Sequence, residues 1–440
     1  MAAKIRNNYE LRIMNYELFC TFAPQMSKYN TLTLSNGLRI IHLPSDSQVV
    51  YCGIAVKAGT RHERVDGGIG EEGLAHFCEH LSFKGTERRT SVQIINSIEG
   101  LGGELNAFTN KEDTVFYCAI QAKHMKKAVD VLCDIVFHST YPQNEVEKER
   151  EVVCDEIESY EDSPAELIFD EIENILFEGH PLGHNILGTS EQVRRYTSED
   201  AKRFTARYYR PDNCVFFASG NVDFKRLATW LRTCCGEKPD LLAIPEDPEI
   251  LEIPKNQPER LFIRHRGTHQ AHVIMGARAY AAEDPRRWAL YLLNNIIGGP
   301  GLNSRLNLSL RERNGLVYSV ESSMVCYGDT GCWCTYFGCD PHDVKRCCRL
   351  VRLELDRLIK TPLSASQLLK AKQQLQGQLA IAGDSREQFA LDFAKNFLHQ
   401  GKERDLSDIM RHIDSLTPQD LQQVAREIFD SEHITTLIYE

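Results

Sequence analysis

Strand-like and helix-like stretches alternate along the chain from about residue 29. Thr31 to Thr33 and Leu38 to Leu43 are strand-like and flank Ser35-Asn36-Gly37, a hairpin signal. Val49 to Lys57 forms a second strand pattern, and a glycine-rich segment then leads into Gly73 to Phe83. That run is apolar almost all round and lacks Gly or Pro after Gly73, so it predicts a buried helix ended by Gly85-Thr86. A helix over Ser91 to Glu99 follows, then strands over Glu104 to Thr109 and Thr114 to Ile120. Ala122 to His138 is helical, with apolar positions at Met125, Val129, Leu132 and Val136. The next predicted helix, Glu145 to Tyr160, carries a stripe of Val146, Val152, Val153, Ile157 and Tyr160 and closes at Ser163-Pro164.

The pattern repeats at a spacing of about 220 residues. Thr197-Ser198-Glu199-Asp200 recurs as Thr417-Pro418-Gln419-Asp420, each opening a helix that precedes a terminal strand, Cys214 to Ala218 or Ile434 to Tyr439. The strand Tyr51 to Lys57 has a counterpart at His272 to Arg278, and a helix near Trp288 to Ile297 stands where Gly73 to Phe83 stood. The expected fold class is therefore α+β: two homologous domains, each a mainly antiparallel sheet with helices packed on it. Their expected bounds are 26–240 and 257–440, joined by a linker over 241–256 in a stretch rich in acidic residues and proline (Pro245, Pro248, Pro254, Pro258).

Length agrees with two domains, since 440 residues exceed one ordinary core. Residues 1–25 form a separate extension in which Asn8-Tyr9-Glu10-Leu11 recurs as Asn15-Tyr16-Glu17-Leu18. Its charges at Arg6, Glu10, Arg12 and Glu17 exclude a signal-peptide core or a membrane span there. Organised sequence begins after Met26, which could be the working start. A net charge of −11 argues against nucleic acid or an anionic membrane as partner. The 15 cysteines lack paired Cys-x-x-Cys spacing, so Cys234-Cys235, Cys332-Trp333-Cys334 and Cys347-Cys348 read as buried thiols in a reducing cytoplasm.

Chemistry enters at the exceptions to the apolar pattern. His76 and His80 are four residues apart and share a helical face, with Glu79 in the same sector. Burying two imidazoles and a carboxylate is costly unless they are paired or hold a metal. A core helix whose histidines bond to carbonyls is the competing reading. The order His-x-x-Glu-His favours metal, because it inverts a familiar zinc-protease signature. Glu149 and Glu156, seven residues apart, lie on the stripe of their helix; they are either metal-associated carboxylates or residues at the stripe's edge. In the second half, Leu292-Leu293-Asn294-Asn295 carries no ligand-type histidine or carboxylate.

Together these motifs resemble the pitrilysin/insulinase zinc peptidase family, in its short-chain branch. His76-x-x-Glu79-His80 is followed 76 residues after His80 by Glu156. Leu105-Asn106-Ala107-Phe108-Thr109, His180-Pro181-Leu182-Gly183, Ile186-Leu187-Gly188-Thr189 and Tyr209-Arg210-Pro211-Asp212-Asn213 also match, and Leu310 to Ser319 resembles the family's substrate-binding Arg/Tyr element. The resemblance implies a zinc metalloendopeptidase with one Zn2+ per chain, held by His76, His80 and Glu156. It implies Glu79 as general base, Glu149 as an orienting residue, and Arg311 and Tyr318 as donors to a substrate carbonyl or oxyanion. Asn106, Ala107 and Phe108 would lie on an edge strand that binds peptide substrates by their backbone. One metal-bearing and one inactive domain per chain also fits the family.

Rival readings remain: a non-catalytic subunit, a peptide-binding module without cleavage, and a maturation protease with one substrate. A chain with two domains implies a dimer, most simply a homodimer in which Arg311 and Tyr318 act in trans, with a heterodimer as the alternative.

Overall fold

The computed structural model describes residues 28–64, 70–235 and 260–440. The N-terminal extension, the linker and part of the glycine-rich segment lie outside the described residues.

The first sheet contains β1 (Asn30–Thr33), β2 (Arg39–Pro44), β3 (Val49–Val56), β4 (Glu104–Thr109), β5 (Thr114–Gln121) and β6 (Cys214–Gly220). The second contains β7 (Arg260–Arg264), β8 (Ala271–Ala279), β9 (Val317–Cys326), β10 (Gly331–Cys339) and β11 (Thr435–Tyr439). Their orders are β1-β2-β6-β3-β5-β4 and β7-β11-β8-β10-β9. Setting β2 against β7 aligns the remaining strands one for one, including the single parallel pair in each sheet, β2–β6 and β7–β11. The fold is thus α+β with two homologous domains, and among the described residues β1 has no counterpart in the second sheet.

The duplication extends to side chains. Thr197 caps α4 (Ser198–Tyr208) by accepting from Asp200 N, while the Asp200 carboxylate accepts from Thr197 N. Thr417 and Asp420 form the same reciprocal box on α8 (Pro418–Ile428). Each box satisfies helix N–H groups that would otherwise lack partners.

Strand residues such as Ile40-Ile41, Ile54-Ala55, Val115-Phe116 and Phe216-Phe217 are apolar at consecutive positions, so both faces of the first sheet must be covered. Ile40, Ile54, Phe116 and Phe216 face a core with α1 (Leu74–Ser82). Ile41, Ala55, Val115 and Phe217 face α7 (Arg386–Gln400), through Leu391, Phe393, Ala394 and Leu398. That helix belongs to the second half of the chain. The converse holds for the second sheet: Ile274, Cys332, Tyr336 and Leu437 pack on Leu167, Ile168, Ile172 and Leu176 of α3 (Pro164–Leu176), a helix of the first half. Each half therefore covers one face of the other's sheet.

The hairpin tips are also joined. Arg61 binds Asp329 bidentately at 2.5 and 2.6 Å and Glu112 at 2.8 Å, and Gly328 N donates to Glu112. His399, at the end of α7, pairs with Asp113 at 2.9 Å. The cysteines of the described residues are all free thiols, most of them buried.

Candidate metal centre

Helix α1 begins without a capping side chain of its own. Gly73 is left-handed at φ 84°, and a Cβ there would meet Leu187 O at 2.5 Å, so only glycine permits this approach. The Glu63 carboxylate supplies the missing acceptors, taking Gly73 N at 3.0 Å and Ala75 N at 2.7 Å, and its Oε2 also meets His184 Nε2 at 2.8 Å. A carboxylate suits the positive end of a helix.

Every residue of α1 is buried, His76 at 6%, Glu79 at 7% and His80 at 9% exposure. The second component is α2 (Gln143–Glu161), packed against α1. Its buried face is Val146, Glu149, Val153, Cys154 and Ile157. Val152 is 37% exposed and so falls outside the expected stripe; Cys154 lies on the buried face that Val152 was expected to share. Glu149 sits fully within that face and Glu156 near its edge, half-buried.

One ligand atom each from His76, His80 and Glu156 lie within 4.8 Å of one another. His80 Nε2 is 3.4 Å and His76 Nε2 3.9 Å from the Glu156 carboxylate oxygens. Two ligands on one zinc are separated by about 3.3 Å at ordinary bond lengths, close to the His80–Glu156 separation. Nitrogen and oxygen donors of this kind suit zinc. The Nδ1 of His76 is buried without a hydrogen-bond partner among the described residues of the protein. The residues fit a zinc ion.

Around these three, His80 Nδ1 lies 3.0 Å from Glu149, and the other oxygen of Glu149 is 2.7 Å from Lys84 Nζ. Burial raises the Glu149 pKa, but the bonds to His80 and Lys84 outweigh it and hold the group below the usual range. His80 is drawn down by burial yet ends above its ordinary value, through Glu149 and the charges of Glu79 and Glu156. Burial, with His80 adding to it, drives His76 well down, so its imidazole is neutral and free to ligate. Burial lifts Glu79 to about 7 and also raises Glu156. Thr109 donates to Glu79 Oε2 at 2.6 Å.

Asn106, Ala107 and Phe108 lie on β4, the edge strand of the first sheet, whose outer side has no partner strand in the sheet order. Arg311 lies in a π-helical turn, Asn307–Glu312, and Tyr318 near the start of β9, the edge strand of the second sheet. Gly315, at φ 60°, turns the chain back so that the Arg311 guanidinium sits 5.7 Å from the Tyr318 ring centre. Tyr318 is 83% exposed. The Arg311 side chain also lies 3.8 Å from Glu312.

In the second domain, α5 (Arg287–Gly298) and α6 (Ala365–Ala382) pack as α1 and α2 do. Asn294 there accepts from Trp333 Nε1 and donates to Ser322 O, a structural role. Glu63, Lys84 and Thr109 went unassigned in the sequence reading. Lys84 and Thr109 had local signals, falling in Phe83-Lys84-Gly85-Thr86 directly after the metal helix and in Leu105-Asn106-Ala107-Phe108-Thr109.

A duplicated α+β fold with an inverted His-x-x-Glu-His helix and a distal glutamate is that of the M16 metallopeptidases, and the chain belongs to this family. The family model described as insulinase (peptidase family M16) matches residues 40–190, and that of the M16 inactive domain matches 195–375. An uncharacterized zinc protease of Streptomyces coelicolor is 34% identical over 401 residues, covering 90% of this chain and 86% of the relative. The uncharacterized zinc protease YmxG of Bacillus subtilis is 31% identical, covering 92% and 97%. Among solved structures, a protease from Helicobacter pylori shares the fold with a TM-score of 0.87 at 23% identity, covering 94% of this chain and 99% of that one. Among the described residues, no helix is long and apolar enough to cross a membrane.

Proposed function

We propose that this chain is a zinc metalloendopeptidase acting on peptides or unfolded segments, with one zinc ion per chain. The observation that carries this reading is the convergence of His76, His80 and Glu156 beside Glu79 in a buried site. Zinc bound by these three side chains would polarise the scissile carbonyl and lower the pKa of a water towards ~7.

The protein's own groups do the rest. Glu79, the carboxylate on the same helical face as the ligands, takes the attacking water's proton and passes it to the leaving amine. Glu149 fixes the His80 ring through Nδ1 and leaves Nε2 to face the ligand set. The open side of β4 receives substrate as an added strand along Asn106, Ala107 and Phe108. Such pairing reads backbone, so side-chain specificity is broad. Arg311 and Tyr318 donate hydrogen bonds to the substrate carbonyl or the developing oxyanion, from the second subunit of a homodimer. Free thiols throughout the described residues suit a reducing compartment, and the reading includes the cytoplasm as its location.

A quenched peptide tests the proposal. Turnover should be abolished by chelation and restored by zinc. Glu79→Gln should keep zinc and lose turnover, whereas His80→Ala and Glu156→Ala should lose both. Stoichiometric zinc in His80→Ala with near-normal turnover would overturn it.

A further inference from the structure

Glu79 has two carboxylate oxygens, and general-base chemistry needs one of them aimed at the water. Nothing on α1 itself holds the other. That contact comes from the opposite side of the site, where the Thr109 hydroxyl donates to Oε2 at 2.6 Å. The distance is that of a charge-assisted O–H···O⁻ bond.

Thr109 is well placed to hold a carboxylate still. It is the last residue of β4, buried at 7% exposure, and pairs in register with Thr114 of β5. The turn beyond it is closed by Asn110 N donating to Asp113 O at 2.7 Å. A second hydroxyl, that of Thr114, lies 3.3 Å away and could compete for the Thr109 proton. Thr114 spends its own proton on Ala58 O at 2.8 Å, so it cannot donate to Thr109 as well. The Thr109 proton therefore goes to the shorter, charged acceptor.

We infer that Thr109 is a positioning residue for Glu79: it holds Oε2 and leaves Oε1 as the oxygen that meets the reacting water and receives its proton. The inference rests on the peptidase reading above. It adds a link between substrate and base. Thr109 directly follows Asn106, Ala107 and Phe108, so the strand that sets a peptide's register also anchors the carboxylate that acts on it.

The test compares Thr109→Val, which keeps the shape and removes the hydroxyl, with Thr109→Ser, which keeps the hydroxyl. In the valine variant kcat should fall roughly 10- to 100-fold, the usual range for losing an orienting partner. KM and zinc content should stay at wild-type values, and the serine variant should recover most of the loss. Crystal structures of the zinc-free variants give a readout independent of turnover: the Glu79 carboxylate should swing away in Thr109→Val and stay bonded in Thr109→Ser. Should the valine variant melt early, Thr109→Ala carries the same expectations. Unchanged kcat in Thr109→Val, an equal loss in Thr109→Ser, a loss confined to KM, or a Glu79 carboxylate that does not move would each overturn the inference. Wild-type protein without chelator-sensitive turnover would instead overturn the peptidase reading, and the crystal structures would still decide the role of Thr109.

Discussion

His80 Nδ1 lies 3.0 Å from a Glu149 carboxylate oxygen, and this contact fixes which ring nitrogen of His80 faces the ligand set. The carboxylate is itself held by Lys84 at 2.7 Å. Replacing Glu149 by Gln keeps a hydrogen bond but not the charge, and replacing it by Ala keeps neither. Zinc affinity, read by competition with a chromogenic chelator, should fall roughly 10- to 100-fold in Glu149→Ala and less in Glu149→Gln. Equal affinity in all three proteins would show that Glu149 does not act through His80.

Arg311 and Tyr318 lie against each other. If they serve a neighbouring subunit, two dead variants can rescue each other. After subunit exchange between Glu79→Gln and Arg311→Ala, one site in each mixed dimer regains both groups, so turnover should reappear at up to a quarter of the wild-type value. That ceiling follows from one intact site in two, in the half of the dimers that are mixed (roughly, for random exchange). Exchange confirmed by mass, with no recovery, would exclude action in trans.

Phe393 is fully buried on the first sheet although it belongs to the second half of the chain. Phe393→Ala should lower the unfolding free energy by about 3–5 kcal/mol, the cost of emptying such a site. The effect should be visible in hydrogen exchange at β3 and β6, the strands against which α7 packs. Loss confined to the second domain would contradict the packing.

Asp113 is buried against His399, and its pKa is lowered to about 2: burial raises it, but His399 and Lys395 prevail. A carboxyl depressed when folded stabilises above its unfolded pKa of ~3.9, and that contribution disappears as pH falls towards the folded value. Asp113→Asn should therefore be less stable than wild type at pH 6 by roughly 2 kcal/mol, with the gap closing between about pH 4 and 2. Urea unfolding across that range checks it; a gap independent of pH would mean the loss is one of packing alone.

Local signals carried much of this fold. The hairpin at Ser35-Asn36-Gly37, the strand pair around residues 110–113 and the paired capping boxes at Thr197 and Thr417 are all written in short stretches. His76 and His80 were legible because they interrupt an apolar helix, whereas Glu156, at the edge of its helix's buried face, was marked by the family resemblance. Val152 was misjudged because Val152-Val153 leaves either residue free to face inward, and only packing against α1 decides which one does. Glu63 and Thr109 reach the site from loops and strand ends, where no periodicity marks direction. The periodicity of α3 announces a buried face but cannot say which sheet will cover it.

The reciprocal placement of α3 and α7 has a historical reading. If the two halves descend from one ancestral gene, each copy would have carried a helical arm that left its own sheet and lay on its twin's. That is the geometry of a swapped dimer, in which two separate polypeptides already buried these faces in each other. Gene fusion would then have required no new interface, only a tether between the end of one copy and the start of the next. It would also have freed one copy to shed its metal ligands while keeping the arm that its partner's sheet could not do without.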